Sequence, residues 1–212
     1  MNISISERGN KYTNLFKNID KKIITDCDGV LLDWAYAFDV WMGEHGYKRL
    51  PDTNHVYDQD IRYGISREQS YDLIKQFNES GCVGFIPAYK DSVEYVSKLH
   101  SLGWKFEVIS CLDQDKYAQR LREKNLIHLF GNVFDFIDCS LDYKIGKKEY
   151  LLDRYKGKHY YWIEDSTSHA QSGKEIGLES VVMDHEYNRD WDGLRVKNWK
   201  DIYQLVPNDD TY

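Results

Sequence analysis

Five short apolar runs alternating with helical patterns, a long insertion after the first of them, and only three prolines in the chain predict an α/β protein. The architecture expected is a Rossmann-like parallel sheet with helices on both faces and a small helical cap inserted after the first core strand. The runs lie at 22–25, 106–110, 133–137, 160–163 and 180–183 and suit strands buried between two layers of helix. The clearest helix is 92–102: Asp91 can cap it, Glu94 sits where a capping box places a carboxylate, and Gly103 follows as a stop. It leads straight into the strand of WKFEVIS. Before it, 33–46 and 66–80 also read as helices, the second opened by a Ser66/Gln69 capping box. A βα connection normally takes a few residues. We therefore read 33–86 as the cap and 1–32 together with 87–212 as the core.

A chain of 212 residues holds one full-sized core plus a small lobe. Its net charge of -7 argues against a partner such as duplex nucleic acid, whose phosphates need clustered Lys and Arg, but leaves room for a small anionic ligand in one positive pocket. Cys27, Cys82, Cys111 and Cys139 form no CxxC pair and no zinc-like spacing, so reduced thiols are expected. The first residues lack the apolar core of a signal peptide, and no stretch approaches the roughly 20 apolar residues of a membrane span. A soluble, cytoplasmic protein with no membrane partner is expected. The aromatics, 15% of the chain, are spread along it, which fits packing better than a base-stacking stripe.

The segment KKIITDCDGVLLD places Asp26 and Asp28 at the end of the first strand. A spacing of two along extended chain sends both side chains the same way, at the strand end where open α/β sheets bind ligands. Two close carboxylates repel, so a cation or a shared proton must hold them together. Magnesium fits, since it takes a few carboxylate oxygens along with water and phosphate oxygens. DCDG alone is also an ordinary turn after a strand.

An apolar strand followed by DxDGV, with further elements in order downstream, resembles the haloacid dehalogenase superfamily. The resemblance implies a magnesium-dependent phosphohydrolase in which Asp26 is the nucleophile that becomes an aspartyl phosphate. It makes Asp28 the general acid and then the general base. Ser110, ending the second strand, would hydrogen-bond a phosphate oxygen. The lysine that neutralises the phosphoryl group falls in CSLDYKIGKKEYLL: Lys144 is the first choice, Lys147 the second, with Lys148 and the remoter Lys116 behind them. In YYWIEDSTSHAQSG, Asp165 takes the place of the metal-binding Asp and Glu164 precedes it, so the implied metal set is Asp26, Asp28, Asp165 and Glu164. His169 stands where a further acid is common; magnesium prefers oxygen, so His169 reads as a substrate contact or a neighbour of the ligands.

The tail, with Tyr187-Asn188-Arg189, Arg195-Val196 and Asn198-Trp199, is similar to the 5'(3')-deoxyribonucleotidase branch and its bacterial and viral relatives. Physically these residues can close the edge of the core, with Trp199 and Ile202 packing. A helix at 147–155, between Lys144 and Asp165, departs from that branch. The implied substrate is a small phosphate monoester, preferably a nucleotide. Trp34, Tyr36, Phe38 and Trp41 of the cap are candidates for stacking on a base or for packing. Phosphatases of sugar phosphates or of polynucleotide 3' ends would share every catalytic residue. A binding protein on the same fold is the reading from outside enzymology.

Overall fold

The computed structural model describes residues 20–112, 114–142 and 145–207. Six strands form one parallel sheet in the order β3-β2-β1-β4-β5-β6. They are β1 Lys22–Thr25, β2 Lys105–Cys111, β3 Phe134–Leu141, β4 Tyr161–Glu164, β5 Glu179–Met183 and β6 Leu194–Val196. The chain winds outward from β1 to β3 on one side and from β4 to β6 on the other. The strand order reverses between β1 and β4, and the crevice beyond their carboxyl ends is where such sheets bind ligands.

The insertion between β1 and β2 carries α1 Trp34–Glu44, α2 Gln59–Tyr63, α3 Arg67–Glu79 and a 3-10 turn at Gly81–Phe85. The sheet is flanked by α4 Lys90–Ser101, α5 Lys116–Phe130, α6 Lys148–Tyr155, α7 Thr167–Glu175 and α8 Trp199–Leu205. Adjacent residues of β1 serve opposite faces, as the period of two requires. Ile23 joins an apolar cluster with Val96 and Leu99 of α4, Leu126 of α5 and Ile202 of α8. Ile24 joins a second cluster with Leu151 and Tyr155 of α6 and with Trp162 of β4. Each isoleucine is fully buried, worth roughly 1.5–3 kcal/mol against leaving it exposed. Gly173 lets α7 lie hard against β4, since a Cβ there would stand 2.4 Å from Trp162 Cδ1.

The first cluster does not stop at the sheet. Phe38 and Met42 of α1, Leu73 and Phe77 of α3, and Val83 of the 3-10 turn belong to the same buried set as Ile23 and Val30. The expected cap at Ser66 forms, its hydroxyl accepting from Gln69 N at 3.1 Å, and Asp33 caps α1 by accepting from Tyr36 N at 3.1 Å. Asp91 does not cap its helix. α4 begins at Lys90, and the Asp91 carboxylate accepts instead from Lys200 N of α8 at 3.1 Å, tying two helices together. β3 runs four residues beyond its expected end, and the short β6 and α2 were not foreseen, being too brief for any periodicity to show. No helix among the described residues is long and apolar enough to cross a membrane.

Candidate active site

Asp26 continues the line of β1: its N–H donates to Ile163 O of β4 at 2.9 Å, which seats it at the carboxyl end of the sheet. Its Oδ1 accepts from Cys27 N at 2.7 Å, and its Oδ2 lies 2.8 Å from Lys147 Nζ. Lys147, the residue before α6, is 1% exposed. Its ammonium also stands 2.6 Å from Glu164 Oε1 and 5.1 Å from the centre of the Trp162 indole. Burial works to lower the Lys147 pKa, but Asp26 and Glu164 outweigh it and hold the amine above its ordinary value.

Glu164 is saturated. Its Oε2 accepts from the N–H groups of Asp165 and Ser166, both at 2.8 Å, and its Oε1 faces Lys147 and His169 Nδ1, the latter at 3.2 Å. Burial would raise its pKa, yet Lys147 and His169 together keep it well below the carboxylate range. Asp165 presents the contrary case. Burial first, then Glu164 and Asp26, push its carboxyl well above the usual value, while Tyr187 O–H donates to its Oδ2 at 2.5 Å. Asp26 is pushed up to about 6 by burial against the pull of Lys147, with Glu164 adding to the rise.

Gly29 has φ +75°, and a Cβ there would fall 2.2 Å from Asp165 Oδ2. The glycine of DCDG is thus what lets the acid after β4 close against the loop after β1. Oxygens of Asp26, Glu164 and Asp165 all lie within 4.8 Å of one another. Three buried acids against one lysine leave excess negative charge, and a hard divalent cation with oxygen preference suits such a set. Each Glu164 oxygen already meets two partners, whereas each Asp26 oxygen meets one and on Asp165 Tyr187 takes only Oδ2, so Asp26 and Asp165 have lone pairs to spare. Of the expected metal set the structure brings Asp26, Glu164 and Asp165 together, with Glu164 also holding Lys147, while the Asp28 carboxylate is turned to Arg122 Nη1, outside that group of oxygens.

Burial raises the Asp28 carboxyl above its ordinary value, with Arg122 pulling the other way. Ser110, 1% exposed near the end of β2, lines the same cavity as Asp26 and Asp28. Lys144 falls outside the described residues. Lys148 is exposed and pairs with Glu175 at 2.9 Å, and Lys116 is exposed, 3.4 Å from Gln119 Oε1. Among the described residues, Lys147, just before α6, is the lysine that meets Asp26.

The cavity measures about 400 Å³, with Asp26, Ser110, Lys147 and Asp165 at its floor and Trp34, Tyr57, Arg62 and Asn78 of the insertion above them. Trp41 is not part of it. Its ring packs against Phe38, Phe77 and His45, so of the two candidate tryptophans only Trp34 borders the cavity. Phe38 is buried core and Tyr36 points outward. Tyr57 reaches across to the body, its ring 5.3 Å from that of Tyr187.

Sequence reasoning assigned the tail a packing role, and that holds for Trp199 and Ile202, both fully buried. It missed Tyr187 and Asn188. Asn188 Nδ2 donates to Asp165 O at 2.7 Å and to Met183 O at 2.8 Å, so the pair fixes both ends of Asp165. The Tyr-Asn motif was visible; its partner, 22 residues away, was not. Arg122, on α5, had no local signal at all.

A parallel sheet with an acid at the end of its first strand, a helical insertion directly after it and a second acid beyond β4 has the fold of the haloacid dehalogenase-type hydrolases. Three solved structures carry the likeness. A phosphatase of that class from Thermococcus onnurineus is 14% identical, with 88% of this chain and 97% of that chain covered, at a TM-score of 0.58. A haloacid dehalogenase-like hydrolase from Streptococcus pneumoniae is 14% identical over 87% of this chain and 97% of that one, at 0.59. A hydrolase of the class from Bacillus subtilis, described with magnesium bound, is 14% identical over 89% and 99%, at 0.57. No family model and no curated protein matches the chain.

Proposed function

We propose that the chain is a magnesium-dependent phosphomonoesterase that works through an aspartyl phosphate on Asp26, with a nucleoside monophosphate as preferred substrate. The observation that carries this reading is the seating of the Asp26 carboxylate against the buried Lys147 ammonium at 2.8 Å, beside Asp165, on the floor of a substrate-sized cavity. An Asp26 oxygen forms the bond to phosphorus as the ester P–O bond breaks. Asp28, held by Arg122, gives its proton to the departing oxygen. In the second half Asp28 takes a proton from a water whose oxygen attacks the same phosphorus, the bond to Asp26 breaks, and inorganic phosphate leaves.

Lys147 is placed to neutralise charge on the phosphoryl oxygens and Ser110 to donate a hydrogen bond to one of them. Asp26 and Asp165 would hold the magnesium, which supplies positive charge between the carboxylates and the phosphate dianion. The insertion lies over the cavity and excludes water from the acyl phosphate. The nucleotide preference is supported by the resemblance of the tail and by the aromatic side chains bordering the cavity. A screen of deoxynucleoside 5' and 3' monophosphates, sugar phosphates and 4-nitrophenyl phosphate, with magnesium and with excess chelator, tests the reading. Hydrolysis that disappears with chelator is expected. Full activity in chelator, or no hydrolysis of any ester, overturns it.

A further inference from the structure

Helix α3 turns an unusual face to the cavity: Arg67, Ser70, Tyr71, Ile74 and Asn78, at i, i+3, i+4, i+7 and i+11, all border it. Asn78 is the most constrained of them. It is 5% exposed, and its Oδ1 accepts from Trp34 Nε1–H at 3.0 Å. An indole N–H can only donate, so the amide oxygen must face Trp34 and the amide NH₂ must face away. Trp34 cannot swing to release it, being stacked on Phe38 at 4.6 Å and set edge-on to Phe77 at 5.6 Å. Among the described residues no acceptor meets the Asn78 NH₂. The NH₂ is not sealed from water: its donors are open to the solvent of the cavity, where the carbonyl of a bound ligand can take the place of water.

We propose that Asn78 sets the specificity of the cavity, its amide donors reading a carbonyl oxygen on a heterocyclic base in the leaving group of the ester. This rests on the phosphomonoesterase reading above and deepens it. The surroundings suit a flat ring with an acceptor edge: Trp34, Tyr57 and Tyr71 supply aromatic borders and Ile74 an apolar one. A base carrying an exocyclic amine at the same position would set donor against donor. Trp34 acts as a positioning residue, since it fixes which end of the amide the substrate meets.

The experiment compares specificity constants for deoxyuridine and deoxycytidine monophosphates in the presence of magnesium. They share the C2 carbonyl and differ at one edge, where the first has a C4 carbonyl beside N3–H and the second a C4 amine beside a bare N3, and it is the C4 carbonyl that Asn78 reads. The wild-type protein is expected to prefer the carbonyl base by tenfold or more. Asn78→Asp keeps an acceptor for Trp34 but replaces the outward donors with acceptor lone pairs, so the ratio should move at least tenfold toward the amine base. Trp34→Phe removes the indole N–H while keeping the stack, so the amide can turn over and the ratio should fall toward one. Because each variant is read as a ratio of two substrates, losses in overall rate do not enter. If Asn78→Asp does not fold, Trp34→Phe alone decides. A wild-type ratio within twofold of one, or a ratio untouched by the variants that fold, overturns the proposal. Hydrolysis of 4-nitrophenyl phosphate by the wild type without either nucleotide overturns it too, while leaving the phosphatase reading standing; failure on every ester would sink that reading instead.

Discussion

The two ends of the cavity are built on opposite plans. At the sheet end the acids around Asp26 and the lysine between them are partnered inside the protein, although Arg122 behind Asp28 keeps Nε and Nη2 without a hydrogen bond. Glu164 meets four donors, Asp165 is fixed by Tyr187 at its carboxylate and by Asn188 at its carbonyl, and Lys147 bridges two acids. At the cap end Asn78 uses its oxygen and leaves its donors to the cavity. Arg62 is tied to Asp39 at 3.4 Å but keeps a buried Nε without a hydrogen bond. The contrast separates two tasks. Charge chemistry at phosphorus requires groups fixed in advance, whereas recognition of a leaving group requires groups held in direction but not yet satisfied.

The comparison is broken most severely at its centre. Asp26→Asn should abolish turnover with the fold intact, because an amide of the same shape does not attack phosphorus; single-turnover assays beside a thermal melt would show it, and near-normal turnover would remove the aspartyl phosphate. Next comes Lys147→Met. It strands the buried Glu164 carboxylate and should cost about 3–5 kcal/mol of stability in urea unfolding, with Glu164→Gln in the same chain recovering part of the loss. A cost below 1 kcal/mol would mean the sheet end is less tightly knit than its contacts indicate.

A gentler change sharpens the same contrast. Tyr187→Phe deletes only the hydroxyl on Asp165, and apparent magnesium affinity should weaken about tenfold to a hundredfold, the usual scale for partners of metal ligands, as read from a magnesium titration of activity. Unchanged magnesium dependence would make Tyr187 a packing residue. The smallest stability effect is expected at the cap end. Asn78→Ala loses one neutral hydrogen bond, about 1 kcal/mol in denaturant unfolding, and a loss as large as that of Lys147→Met would show that Asn78 supports the fold rather than a ligand.

Asp26, Asp28 and Asp165 were legible in the sequence because each lies in a short motif at a strand end, where local pattern and fold coincide. The lysine was not resolved by the same means. Lys144, Lys147 and Lys148 lie within five residues of sequence, and the position of Lys147 against Asp26 depends on where β3 stops and α6 starts, element ends that a propensity pattern blurs. Glu164 and Asp165 read as a matched acidic pair. Side chains alternate along a strand, so neighbours at its end part ways, one to Lys147 and the other to Tyr187. Arg122 meets Asp28 across 94 residues and Asn78 meets Trp34 across 44, separations over which no local rule operates.

The apolar cluster that runs without a break from Ile23 through Val30 into Phe38 and Phe77 has a consequence for engineering. An insertion that shares its host's core is not a cassette. Excising residues 33–86, or grafting a foreign lid in their place, would lay bare apolar surface of α5, against which the 3-10 turn and α3 pack, so the chimera should precipitate rather than change its taste in substrates. Calorimetry of the intact chain should for the same reason record one endotherm, lid and sheet melting together.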